Sequence, residues 1–271
     1  MTTLPPRFTG ADSHRARGIA ESFGADAAAY HQARPSYPQA LADRIIAANP
    51  GRDVLDVGIG TGISAQGFQA AGCRVLGVEV DARMAEFARG QGFNVEVAKF
   101  EDWDPAGRSF DMVIAGQTWH WIDPVAGAIK AAQVLRPAGR LAAFWNTFQF
   151  PPDLAESLSA VYASVLPDSP FSRGMFAGPD AYGPIFDKTA DGIRQAGGFG
   201  GPEQWRADWQ QTYSRDEWLS VLPTAGGLNQ LPQDKLNDLL AGIGAAIDAA
   251  GGSFTMTYAA VTVTAARADA T

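Results

Sequence analysis

Between residues 38 and 146 the chain alternates short apolar runs with segments whose apolar residues recur at helical spacing. The runs at 53–57, 73–80, 93–97, 110–116 and 139–146 read as five short, mostly apolar strands. Before the first strand, Leu41, Ala42, Ile45 and Ile46 fall on one helical face, and Pro50-Gly51 ends that helix. Residues 61–72 read as a helix between the first two strands. Asp81 is placed to cap a helix over 82–90, and Asp123-Pro124 opens another that carries Ile129 and Val134-Leu135. Strand alternating with helix predicts a parallel sheet with right-handed crossovers.

The pattern changes after residue 147. Residues 148–188 combine six prolines with Phe148, Phe150, Tyr162, Phe171, Phe176, Tyr182 and Phe186. So many aromatics argue for an ordered insertion or lid rather than a solvated linker. Further on, 205–213 reads as a strand, and Ser214 with Glu217 forms a capping box. Leu236, Leu239, Leu240, Ile243 and Ile247 mark an amphipathic helix, and 253–267 reads as a β-rich ending paired with 205–213. The expected fold is α/β: a doubly wound, mostly parallel seven-stranded sheet with an antiparallel last strand and a lid insertion. Its expected parts are a mobile arm (1–20), a core with an N-terminal cover (21–147), the insertion (148–188) and the rest of the same sheet (189–271).

Composition narrows the partners. The 271 residues carry a net charge of -8 without a Lys/Arg cluster, which argues against duplex nucleic acid and anionic membranes. Cys73 is the single cysteine and the three histidines lie far apart, so no metal site is expected. The N-terminus has no apolar signal core, and no run reaches the ~18 apolar residues of a membrane helix. The expectation is a cytoplasmic protein, monomer or homodimer.

The chemistry concentrates after the first strand, in Asp56-Val-Gly58-Ile-Gly60-Thr-Gly62. Dinucleotide loops run G-x-G-x-x-G, with the third glycine admitting a pyrophosphate. Here the third glycine comes one place early, and Ile63 fills the position that must be small. That spacing suits a nucleoside cofactor without phosphates. Glu79, ending the second strand 21 residues after Gly58, is an acid in an otherwise apolar run and is placed to accept ribose hydroxyls.

Together, "VLDVGIGTG", the acid ending strand two, "FDMVIAGQTWHWID" and "VLRPAGRLAAFWN" resemble a class I S-adenosylmethionine-dependent methyltransferase of the small-molecule type, over roughly residues 21–267. The resemblance implies that Asp56, Gly58, Gly60 and Gly62 lie by the methionine moiety and that Glu79 holds the ribose. It puts Val80, Met84, Phe100 and Glu101 near the adenine and Gln117 at the methyl end. Lys99 stands where the family often has an acid. Tyr30, His31, Arg34 and Tyr37 on the cover, with Trp119, Trp121 and Trp145, fall on the substrate side.

Methyl transfer from a sulfonium is a displacement that depends mainly on alignment. A carboxylate acceptor needs no base, whereas a hydroxyl does. His120 is the candidate base, or else a buried ring that fixes its loop. Arg34 suits a carboxylate partner or a structural ion pair. The expected reaction is methylation of a small-molecule acceptor, at oxygen. The alternatives are a catalytically silent S-adenosylmethionine-binding module and, less well matched by the glycine spacing, an NAD-dependent oxidoreductase.

Overall fold

The five apolar runs form the parallel part of one seven-stranded sheet. The computed structural model describes residues 24, 26–167, 178–224, 228 and 231–268. The expected arm at 1–20, with His14, and the insertion residues Phe171 and Phe176 lie outside the described residues. Strands β1 (Asp53–Val57), β2 (Arg74–Glu79), β3 (Asn94–Val97), β4 (Phe110–Gly116), β5 (Leu135–Gln149), β6 (Glu203–Ser214) and β7 (Ser253–Ala266) lie in the order β3-β2-β1-β4-β5-β7-β6. The pairs among β1–β5 are parallel, and β7 runs antiparallel to both β5 and β6. This is the expected doubly wound sheet, its last strand reversed.

Alternation along the central strands sorts side chains onto two faces. Val54, Met112, Ile114, Ala142 and Phe144 pack with Leu41, Ala42 and Ile45 of α2 (Gln39–Ala47) and Phe68 of α3 (Ile63–Ala70). Leu55, Val57, Val113, Ala115 and Trp145 face α5 (Pro124–Val134) and α7 (Gly183–Ala196). Helix α4 (Ala82–Gly90) closes a smaller cluster with Ile59, Ala65 and Phe93. The caps form locally: Asp81 accepts from Arg83 N at 2.9 Å, and Asp123 from Val125 N and Ala126 N at 3.0 and 2.8 Å. Ser214 and Glu217 make the full capping box at the start of α8 (Arg215–Val221).

Three strands outgrow the sheet. The β4–β5 pairing ends at Gly116–Phe144, after which residues 145–149 of β5 pair with β7 alone. These extensions carry α6 (Pro152–Val165), α8 and α9 (Gln233–Ala249) around a second core of Phe148, Phe150, Leu158, Trp218, Ile243 and Phe254. The aromatic segment 148–188 is therefore divided: Phe148, Phe150 and Tyr162 join this upper core, whereas Tyr182 and Phe186 join the sheet core beside Trp145. Helix α1 (Ala27–Ala33) buries none of its residues and touches both α4 and α8, bridging the core and the upper lobe. Among the described residues no helix is long and apolar enough to cross a membrane, and no His/Cys/Asp/Glu group is disposed to hold a metal.

Candidate functional site

The glycine loop takes its shape from left-handed backbone that side chains rarely adopt: φ is +67° at Gly58, +58° at Gly60 and +93° at Gly62. Each glycine has a different reason. A Cβ on Gly58 would stand 2.2 Å from Thr118 Cγ2, and one on Gly62 2.5 Å from the Phe93 ring. At Gly60 a Cβ would meet nothing within 4 Å, because that backbone faces a cavity.

Glu79 anchors the loop from β2. One carboxylate oxygen accepts from Gly60 N at 2.8 Å, the other from Val80 N at 2.9 Å and Asp81 N at 3.0 Å. Burial raises its carboxyl above the usual range, and the three N–H donors oppose that shift. Asp56 lies beneath the loop, fully buried, and accepts from Ser64 Oγ at 2.6 Å. Burial pushes its carboxyl up to about 8, against the Ser64 bond and with a smaller push from the Glu79 charge.

The opposite wall is built where the β4–β5 pairing ends. Gln117, itself left-handed at φ +54°, donates through its backbone to Phe144 O at 2.8 Å and through Nε2 to Asn146 O at 3.1 Å. Asn146 joins three elements: Nδ2 donates to Ser36 O at 3.0 Å, and Oδ1 accepts from Trp209 Nε1 at 3.2 Å. The cover closes the mouth. Arg34 stands 4.7 Å over the Tyr30 ring and donates to Thr224 O at 2.6 Å, while Tyr37 packs edge-on against Phe144 at 4.8 Å.

One cavity runs between these walls. On the loop side it is lined by Gly58, Gly60, Glu79, Val80 and Met84, with Phe100 and Glu101 following β3. On the far side stand Gln117, Trp121, Tyr30, Arg34 and Tyr37. Asp56 and Gly62 are not on its surface and support the loop from behind. His31 packs against Phe87 at 5.0 Å, outside the lining. Trp119 and Trp145 are core residues, 1% and 0% exposed. His120 stands behind Trp121, ring centroids 4.8 Å apart, and its Nδ1 accepts from Trp145 Nε1 at 3.1 Å. Burial lowers its imidazole to about 3. A neutral ring whose Nδ1 accepts carries its proton on Nε2, so no basic lone pair remains for a substrate.

Ile63 and Thr118 also line the cavity, together with Thr61, Ser64 and Asn146, which were not among the expected residues. Asn146 had a readable signal, an amide within the apolar run "AAFWNTF". The buried Thr61 Oγ1 and Gln117 Oε1 have no hydrogen-bond partner among the described residues, as polar atoms meant for a ligand would. Ile63 turns its apolar side chain to the cavity at the head of α3, where a diphosphate would need bare amides. The lining therefore fits a phosphate-free nucleoside.

Residues 55–143 match the family model described as "Methyltransferase domain". An uncharacterized methyltransferase of Mycobacterium bovis is 37% identical over 134 residues, 48% of this chain and 54% of that protein. The chain thus spans about half the length of that relative. A malonyl-[acyl-carrier protein] O-methyltransferase of Enterobacter lignolyticus is 30% identical over 151 residues, 54% of this chain and 60% of that protein. Among solved structures, a putative type II methyltransferase from Anaeromyxobacter dehalogenans superposes with a TM-score of 0.62 at 24% identity, covering 87% of this chain and 97% of that one; it shows the shared fold. Residues 55–143 thus match a methyltransferase domain, and the sheet order, the glycine loop and the acid ending β2 accord with the class I S-adenosylmethionine-dependent type.

Proposed function

We propose that the protein transfers the methyl group of S-adenosylmethionine to a small-molecule acceptor, at oxygen. The observation that carries this reading is the single cavity that joins Glu79 and the glycine loop to the β4–β5 wall and its aromatic cover. Glu79 would accept the ribose hydroxyls, Val80, Met84 and Phe100 would flank the adenine, and residues 58–62 would border the methionine end. When bound, the sulfonium supplies a methyl group already activated by its positive charge. Gln117 and Asn146 hold the acceptor wall, the cover excludes water, and alignment across the cavity provides most of the catalysis.

The burial of His120 and the bond to its Nδ1 speak against it as general base and for a role in holding the Trp121 wall. A relative named as an O-methyltransferase supports oxygen as the acceptor atom. Calorimetric titration with S-adenosylmethionine, S-adenosylhomocysteine and NAD tests the cofactor. Binding of both sulfur ligands without heat from NAD is expected; heat from NAD alone would overturn the proposal in favour of an oxidoreductase.

A further inference from the structure

Among the described residues, the cavity offers little to deprotonate an acceptor. Its described lining holds no histidine, and its carboxylates are Glu79 and Glu101. Glu79 already accepts three backbone N–H groups. Glu101 belongs to the turn after β3 and accepts from Asp123 N at 3.4 Å, beside the adenine wall. Asp56 is sealed beneath the loop, accepts from Ser64 of the lining, and burial pushes its carboxyl up to about 8. The Tyr37 phenol, whose oxygen lies 3.1 Å from where a Gly116 Cβ would stand, is held well above the ordinary tyrosine range by burial. Tyr30, the other phenol of the lining, lies under the Arg34 guanidinium. Hydroxyl, ammonium and C–H acceptors all have a proton to lose, and no described histidine or unengaged carboxylate on this wall stands ready to take it.

Charge is also distributed unevenly. The two acids lie at the β2 and β3 ends, on one side of the sheet order, and Lys99 lies beside them after β3, at the adenine side. Arg34 lies on the other, tied to Thr224 O and next to Tyr258 of β7, with Ser36 two residues on held by Asn146 of β5. A guanidinium has five N–H donors in a planar fork that matches a carboxylate through two parallel bonds.

Resting on the methyltransferase reading, we infer that the acceptor is a carboxylic acid, bound as its carboxylate with Arg34 on the β5–β7 side of the cavity, and that the product is a methyl ester. The step balances without a base. A carboxylate oxygen forms the new O–C bond, the C–S bond breaks, and its electron pair stays on sulfur as the thioether. An anion and a sulfonium give two neutral products, and no proton changes hands. Arg34 orients the anion, and Tyr30 beneath the guanidinium keeps the fork in plane.

The test uses the full chain, S-adenosylmethionine labelled in the methyl group, and a panel of aromatic and aliphatic carboxylic acids, each paired with its alcohol and amine. Methyl esters release volatile labelled methanol in alkali, whereas ethers and methylamines do not. Transfer to acids with base-labile label is expected. Arg34→Gln should raise the acid's KM about ten- to a hundredfold, the effect of losing a charge-assisted contact, while S-adenosylhomocysteine affinity stays within about threefold. Arg34→Lys, which keeps the charge and loses the fork, should fall between and covers the case in which Arg34→Gln does not fold. Transfer to an alcohol or amine instead, or to none of the acids, overturns the inference, as does an unchanged KM in a folded Arg34 variant. Failure of the cofactor reading is separate: neither sulfur ligand would then bind in the calorimeter.

Discussion

Replacing Glu79 with glutamine removes a charge and one acceptor while keeping the shape. The wild-type carboxylate takes Val80 N and Asp81 N on one oxygen and Gly60 N on the other. A glutamine keeps two of the three bonds by placing its carbonyl toward Val80 and Asp81. Its NH₂ then faces Gly60 N–H across a 2.8 Å gap, donor against donor. The loop loses one charge-assisted bond, about 1.5–3 kcal/mol, and the ribose loses a charged acceptor. Part of that loss falls on the free protein, so the expected penalty on cofactor binding is about 2–3 kcal/mol, or about 30- to 150-fold in Kd. Folding should change little, because the charge that disappears is one whose burial already raises its carboxyl. Calorimetry with S-adenosylhomocysteine and a ligand-free thermal melt separate the two effects. A Kd within threefold of wild type in a Glu79→Gln protein of normal Tm would refute the reasoning.

His120→Ala should strand the Trp145 indole N–H and open a cavity, lowering stability by about 2–4 kcal/mol, while the pH profile of methyl transfer keeps its shape between pH 5.5 and 8.5. Loss of an ascending limb near neutrality in that variant would restore His120 as the base. Asp56 binds a proton more tightly folded than unfolded, so the native state holds more protons between about pH 4 and 8 and this site makes stability fall as pH rises through that window. Asp56→Asn mimics the protonated form and should flatten the decline; parallel Tm-against-pH curves for the two proteins would contradict it. Gly58→Ala and Gly60→Ala share a left-handed backbone, yet only the first meets a neighbour, Thr118 at 2.2 Å. Gly58→Ala should therefore unfold at clearly lower temperature, whereas Gly60→Ala should cost about 1 kcal/mol of stability and chiefly weaken cofactor binding through its methyl in the cavity. Equal Tm losses would argue against this placement of the loop.

What the sequence disclosed follows from how local the physics is. Strands β1, β2 and β4 sit inside the sheet as largely apolar runs, and Asp81, Asp123 and Ser214–Glu217 cap helices through bonds within three residues. Strand β5 begins at Leu135, not Gly139, because α5 passes directly into it through Arg136-Pro137-Ala138, a stretch whose composition reads as a loop. At 119–121 an extended reading gives side chains alternating in direction. The segment is instead a 3-10 turn that buries Trp119, His120 and Trp121 together and leaves only Trp121 of the three on the cavity beside Glu79. The described aromatics of 148–188 are shared between two cores, which the sequence did not disclose, since the strands and helices that claim Phe148 and Phe150 lie more than fifty residues later in the chain. Asn146 marks the boundary between these cases. The rule that singled out Glu79, a polar residue in an apolar strand, applies to it equally and would have placed it at the site. That it would tie the cover, the β4 end and Trp209 of β6 together was beyond that rule, because those partners are 110, 29 and 63 residues away and meet only once β7 has inserted beside β5.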